Sequence, residues 1–142
     1  MAAHMVCAID YFGRTMPVTS TFLAGSIGTS PVMVRTIMGM LKQAGIISSS
    51  KGKSGITLAR PLSEISLLDL WHAVDQSDAD SLFHFHENPC PQCPVGGNIH
   101  AALDGHLEDA QRALEGQLAA VSLESVAEDV RRRAEARGAL GK

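Results

Sequence analysis

The chain has 142 residues, 45% of them hydrophobic and 19% charged, with three cysteines and a formal net charge of −3. That is enough length and apolar content for one domain with an ordinary core, and it excludes a disordered chain. No apolar run approaches the ~20 residues of a bilayer-spanning helix, and an odd cysteine count speaks against a disulfide framework.

The charge is unevenly distributed. Residues 1–61 hold six basic side chains and one acid, whereas residues 62–142 hold six basic and fourteen acidic side chains. A basic front half joined to an acidic back half points to a polyanion-binding module followed by a different element.

In chain order, "AAHMVCAIDYF" is apolar on most faces and predicts a helix. No basic lead precedes it and Asp10 interrupts it, so we expect no signal peptide and a cytoplasmic location. "TSTFLAGSIG" predicts a short helix, capped by Thr19 or Ser20 and stopped by Gly28. "TSPVMVRTIMGMLKQAG" predicts a longer one. Ser30 stands at its cap and Pro31 at the first helical position, where a missing N–H costs nothing. Val34, Ile37, Met38 and Leu41 recur at helical spacing and should face the core, and Gly45 is the expected stop. Helix, three-residue turn, helix is the spacing of the DNA-binding helix-turn-helix.

Two short strands, "IISSS" and "ITLAR", follow, joined by "KGKSG". A hairpin directly after the second helix makes a winged helix. Its lysines can reach phosphate, and glycine lets backbone lie close to a duplex. "EISLLDLWHAV" predicts the next helix, with Ser66 and Asp69 as reciprocal capping partners, Ile65 stapled against Leu70, and an apolar side of Leu67, Leu70, Trp71 and Val74.

After the polar "DQSDADS" comes "HFHENPCPQCPVGGN", with two histidines, a C-x-x-C pair and three prolines. The long helix "NIHAALDGHLEDAQRALEGQLAAV" then carries Ile99, Leu103, Leu107, Ala110, Leu114 and Leu118 on one stripe. A lone winged helix is too small to bury that stripe, so we read a dimerisation helix, suited to two-fold symmetric operators. The tail "SLESVAEDVRRRAEARGALGK" predicts a further short helix, its arginines on a solvated face.

The run "TSPVMVRTIMGMLKQAGII", the wing "KGKSG" and the helix "LARPLSEISLLDLWHAV" together resemble the Rrf-two family of bacterial winged-helix regulators. The segment "LFHFHENPCPQCPVGGNIHAAL" resembles its YwnA-like branch. The resemblance spans nearly all of residues 4–126. It implies a homodimeric transcriptional regulator, usually a repressor, that binds double-stranded operator DNA. It also implies that Thr29, Ser30, Pro31, Val32 and Arg35 enter the major groove, and that Lys51, Gly52, Lys53 and Ser54 lie on the wing.

Four readings of the C-x-x-C stretch stay open. Cys90 and Cys93, with Cys7 and a histidine, could hold an iron–sulfur cluster, although such clusters normally take four ligands and cluster-binding relatives carry three cysteines in this region. His84, His86, Cys90 and Cys93 have ligand types that suit a tetrahedral zinc site. Cys93, just before the long helix, could be a thiol switch that pairs with Cys90 or with Cys7 of a partner chain. The stretch could equally be a proline-stiffened connector whose cysteines act as small hydrophobes.

The expected architecture is therefore mainly α. Residues 1–76 form a winged helix-turn-helix domain with a small β-hairpin, 77–97 a connector or sensor loop, and 98–142 a dimerisation helix and tail. The expected function is that of a DNA-binding regulator, not an enzyme or a membrane protein, with no cofactor firmly implied. One alternative is a zinc-binding winged-helix module that contacts protein instead of DNA. Another, a C-x-x-C oxidoreductase, lacks the βαβ context such enzymes need.

Overall fold

The computed structural model describes residues 1–49, 55–75, 83 and 88–140, with side chains to residue 138. Its elements run α1 (Ala2–Phe12), α2 (Ser20–Ile27), α3 (Pro31–Gln43), β1 (Ile47–Ser49), β2 (Ile56–Leu58), α4 (Leu67–Val74), α5 (Ile99–Ala119) and α6 (Leu123–Leu140). A single 3-10 turn at Leu62–Glu64 precedes α4. The chain divides into two units, one of residues 1–75 with 119–142, the other of residues 76–118.

The caps set the helices of the first unit. Thr19 accepts from the Phe22 N–H and starts α2. Ser30 accepts from the Met33 N–H and starts α3, with Pro31 at its first turn. Each bond satisfies one of the orphan donors a helix start leaves. The stop of α2 is Gly28, at φ 75° and ψ 40°. There the N–H groups of Gly28 and Thr29 both reach back to the Ala24 carbonyl. A β-carbon resists that left-handed conformation, which is why glycine ends the helix there. At the end of α3, Ile46 donates to the Leu41 carbonyl and Gly45 to that of Lys42. This pair of bonds is a Schellman closure.

β1 and β2 pair antiparallel, Ile47 opposite Leu58 and Ser49 opposite Ile56. Val18 extends the pairing by accepting from the Ile56 N–H at 2.9 Å. The hairpin expected after α3 is thus present. Ser66 and Asp69 form the reciprocal capping box of α4, with the Ser66 N–H on Asp69 Oδ2 at 2.7 Å and the Asp69 N–H on Ser66 Oγ at 3.0 Å. The stapling pair Ile65 and Leu70 is buried beside it.

The core of this unit gathers Met5, Val6 and Ile9 from α1, Leu23 from α2, Val34, Ile37 and Leu41 from α3, and Ile46, Ile56, Ile65 and Leu70 beyond. α6 joins the same core. Leu123 is fully buried, and its N–H donates to the Ile65 carbonyl at 2.7 Å while the Leu67 N–H returns to Val121. Asp10 on α1 accepts from both Arg14 and Arg131, the latter from α6. At 18 residues α6 is longer than the short tail helix expected. Its arginines divide, because Arg132 and Arg133 pair locally with Asp129 whereas Arg131 reaches α1.

In the second unit α5 runs for 21 residues, about 31 Å at 1.5 Å per residue. None of its residues is buried. Leu103 and Leu114 on the apolar stripe are 38% and 42% exposed.

Candidate nucleic-acid interface

The α2–turn–α3 corner presents one face of α3 to solvent. Val34, Ile37 and Leu41 point inward, so helical spacing leaves Pro31, Val32, Arg35, Thr36 and Gly39 outward. Val32 is 66% exposed although apolar, as is Met33 at 45%. An exposed valine on the first turn of a helix costs hydration unless a partner covers it. The methyl of thymine is one surface such a side chain can meet in the major groove. Arg35 has no ion-pair partner among the described residues, and no acidic side chain occurs in the sequence between Asp10 and Glu64. The α3 N-terminus adds the positive end of the helix dipole, which favours phosphate.

Of the residues expected at DNA, Thr29 and Ser30 lie in the turn, and Pro31, Val32 and Arg35 lie on the first turns of α3. Met33, Thr36 and Gly39 were missed and share the exposed side. The phase from Val32 through Arg35 to Gly39 was the available signal. The Thr36 hydroxyl is used locally, donating to the Val32 carbonyl at 3.2 Å. Lys51, Gly52, Lys53 and Ser54 at the wing tip lie outside the described residues.

The second unit holds the C-x-x-C stretch as a series of turns wound into the start of α5. Cys93 N–H donates to the Cys90 carbonyl at 3.2 Å, Gly97 N–H to Cys93 at 2.8 Å and Ile99 N–H to Val95 at 2.9 Å. Asn98 Nδ2 closes the turn on the Pro94 carbonyl at 2.9 Å. The winding is so tight that a Cβ on Gly96 would sit 2.5 Å from the Cys90 carbonyl oxygen. Both cysteines are exposed, and the Cys90 thiol donates to Gln92 Oε1 at 3.4 Å. The backbone N–H groups of Gly96 first, then Val95, hold the Cys93 thiol below its ordinary pKa. Cys7 differs. It is buried on α1, and its thiol is pushed up by burial first and the Asp10 carboxylate second, against the pull of Arg131.

Among the described residues, Cys90 and Cys93 alone do not complete the ligand set of a cluster or of a zinc site. Cys90 and Cys93 supply two thiolates where a cluster takes four ligands, and one of them is engaged with Gln92. Among the described residues no three His, Cys, Asp or Glu side chains converge as a metal site. His84 and His86, the other candidate zinc ligands, lie outside the described residues. Ile99, Leu103, Leu107, Ala110, Leu114 and Leu118 all fall on α5, half-buried or exposed.

The sequence matches the Rrf2 (Rrf-two) family, described as iron-dependent transcriptional regulator, over residues 1–129. It is 40% identical over 126 residues to YwnA of Bacillus subtilis, named as an HTH-type transcriptional regulator, covering 89% of this chain and 91% of the relative. A crystal structure described as a DNA binding protein superposes with a TM-score of 0.70 at 36% identity, covering 88% of this chain and 94% of the other. A transcriptional regulator from Lactobacillus plantarum superposes with a TM-score of 0.73 at 25% identity, covering 92% and 87%.

Proposed function

The chain belongs to the Rrf2 family of transcriptional regulators, and on that premise we propose that it is a homodimeric repressor whose α3 reads operator DNA in the major groove. The family is one of transcriptional regulators, which are not enzymes, and no helix among the described residues is long and apolar enough to cross a membrane. A cytoplasmic location follows from this role. The observation that carries the reading is the outward face of α3, where Val32 and Arg35 stand exposed within a stretch that has no acid from residue 11 to residue 63.

The mechanism divides the labour between anchoring and reading. The α3 N-terminus and the wing lysines Lys51 and Lys53 hold phosphates, which fixes register without carrying sequence information. Thr29, Ser30 and Val32 meet base edges or thymine methyls. Arg35 supplies a planar donor fork suited to the O6 and N7 of guanine. Two copies pair through the α5 stripe and bring two α3 helices to successive major grooves, about 34 Å apart, on a palindromic site. Residues 77–97 act as the joint between reading head and dimer helix. A thiol-based signal at this joint is favoured by one feature, the exposed Cys93 held toward thiolate by two backbone N–H groups, with Cys90 three residues away to receive a disulfide.

The test is fluorescence anisotropy with the protein's own upstream DNA at 50 mM and 200 mM salt. Six to ten phosphate contacts predict an affinity loss of about 10³–10⁵ between these conditions. Absence of specific binding at the lower salt would favour the alternative, a winged-helix module that contacts protein.

A further inference from the structure

The outward face of α3 is short of hydrogen-bonding groups. At about 100° per residue, Val32, Thr36 and Gly39 run down its centre, with Arg35 on one flank and Met33 on the other. Val32 is 66% exposed and Met33 45%, and neither packs against the core. Thr36 spends its hydroxyl hydrogen inside the helix, on the Val32 carbonyl. Ser30 spends an oxygen lone pair on the Met33 N–H. No Asn, Gln, Asp or Glu occurs from residue 11 to residue 42.

That inventory limits which base edges the face can match. Adenine and cytosine each present an amino donor in the major groove, and the side chains that single them out are Asn or Gln and Asp or Glu. α3 has none of these before Gln43, at its far end. The hydroxyls of Thr29 and Ser30 accept or donate and do not discriminate between bases. Guanine presents two acceptors, which suit Arg35. The thymine C5-methyl is the apolar group on the groove floor, and it suits an apolar centre.

The fold itself does not ask for this composition. Val32 and Thr36 are β-branched and Gly39 has no side chain, so all three are weaker helix formers than alanine. A Cβ on Gly39 would meet nothing within 4 Å. Packing within the chain therefore leaves that glycine unexplained, whereas close approach of the helix to a groove floor makes use of it.

We propose that Val32 and Thr36 form a methyl-reading patch that seats on thymine C5-methyl groups, so that the operator is specified by thymine under the centre of α3 and guanine beside Arg35. This rests on α3 being the DNA-reading helix.

The experiment uses the full chain and two forms of its upstream DNA. One is ordinary, and the other carries deoxyuridine in place of thymidine, which removes every C5-methyl and keeps base pairing. Unrelated DNA of equal length, in both forms, measures any effect that does not depend on sequence. The wild type should bind the ordinary upstream fragment at least about fourfold more tightly than the deoxyuridine one, the worth of burying one methyl-sized group. It should bind the two unrelated fragments equally. Val32→Ala should bind the ordinary fragment more weakly and lose the preference, since the two changes remove the same contact from opposite sides. Thr36→Ser, which keeps the hydroxyl and drops only the methyl, should reduce the preference likewise. Equal binding of the two upstream fragments by the wild type overturns the methyl patch and leaves α3 on DNA. The same preference on unrelated DNA, or a preference that survives both substitutions, overturns it too. Absence of specific binding to the ordinary fragment overturns the operator reading, and the methyl patch with it.

Discussion

The helix-turn-helix geometry rests on Gly28, and one pair of substitutions tests it by sign. Gly28 sits at φ 75°, and a Cβ built on it meets nothing within 4 Å. Replacement by alanine therefore brings no steric clash, only the cost of holding an L-residue in the left-handed region, about 1–2 kcal/mol. Gly39 also has open space around its Cβ, but it lies inside α3 with helical backbone. There alanine should stabilise by about 0.5–1 kcal/mol, because glycine is the more flexible residue in the unfolded chain. The assay is urea unfolding followed by the fluorescence of Trp71, the single tryptophan, on α4 of the same unit. With a slope of about 2 kcal/mol per molar urea, Gly28→Ala should lower the midpoint by about 0.5–1 M, and Gly39→Ala should raise it by about 0.25–0.5 M. Gly28→Asn should fall between alanine and wild type, since asparagine tolerates the left-handed region better. A Gly28→Ala protein as stable as wild type, or more so, would refute the turn. That outcome belongs to a helix running unbroken through residue 28.

Four further outcomes follow from other parts of the fold. Ser66→Ala removes one half of the capping box and should cost about 1 kcal/mol in the same urea assay; no loss would contradict the cap. The Asp69 carboxyl is held below its ordinary 3.8 by the Ser66 N–H first, with the Ser66 hydroxyl, Arg60 and His72 adding to it. Its contribution is therefore complete above about pH 4 and lost as pH falls through the depressed folded value. The stability gap between wild type and Asp69→Asn should narrow from pH 5 toward pH 2.5, and a gap constant across that range would contradict the assignment. Cys93 should alkylate with iodoacetamide faster than Cys90 at pH 7, with its rate rising from a lower pH than that of an ordinary cysteine; equal rates would remove the basis for a thiol signal. Leu107→Glu with Leu114→Glu places two charges in the α5 stripe, where unpaired burial costs several kcal/mol, and should convert a dimer to a monomer in sedimentation equilibrium. An unchanged mass would dismiss α5 as the dimer helix.

What could be read from the sequence was local. Thr19, Ser30 and Ser66 announce helix starts because a side-chain oxygen two or three residues from an orphan N–H leaves few alternatives. Gly28 and Gly45 announce stops for the complementary reason. The α3 face was legible in part, since Val34, Ile37 and Leu41 fix the phase, yet Met33, Thr36 and Gly39 were not picked out although the same phase turns Thr36 and Gly39 outward. What was not legible depends on long-range pairing. Nothing in "RRR" distinguishes Arg131, which reaches Asp10 across 121 residues, from Arg132 and Arg133, which stay with Asp129. Leu123 gave no sign that it would be buried beside Ile65 and draw α6 into the first unit.

The central claim is that α3 reads DNA through its outward face. Its most direct test is the affinity of Arg35→Ala for the upstream operator and for unrelated DNA of equal length, side by side with wild type. Loss of one bidentate base contact is worth about 1–3 kcal/mol, or roughly five- to 150-fold. The account predicts that loss on the operator, a much smaller one on unrelated DNA, and an unchanged solution mass. Operator binding by Arg35→Ala equal to that of wild type would contradict it.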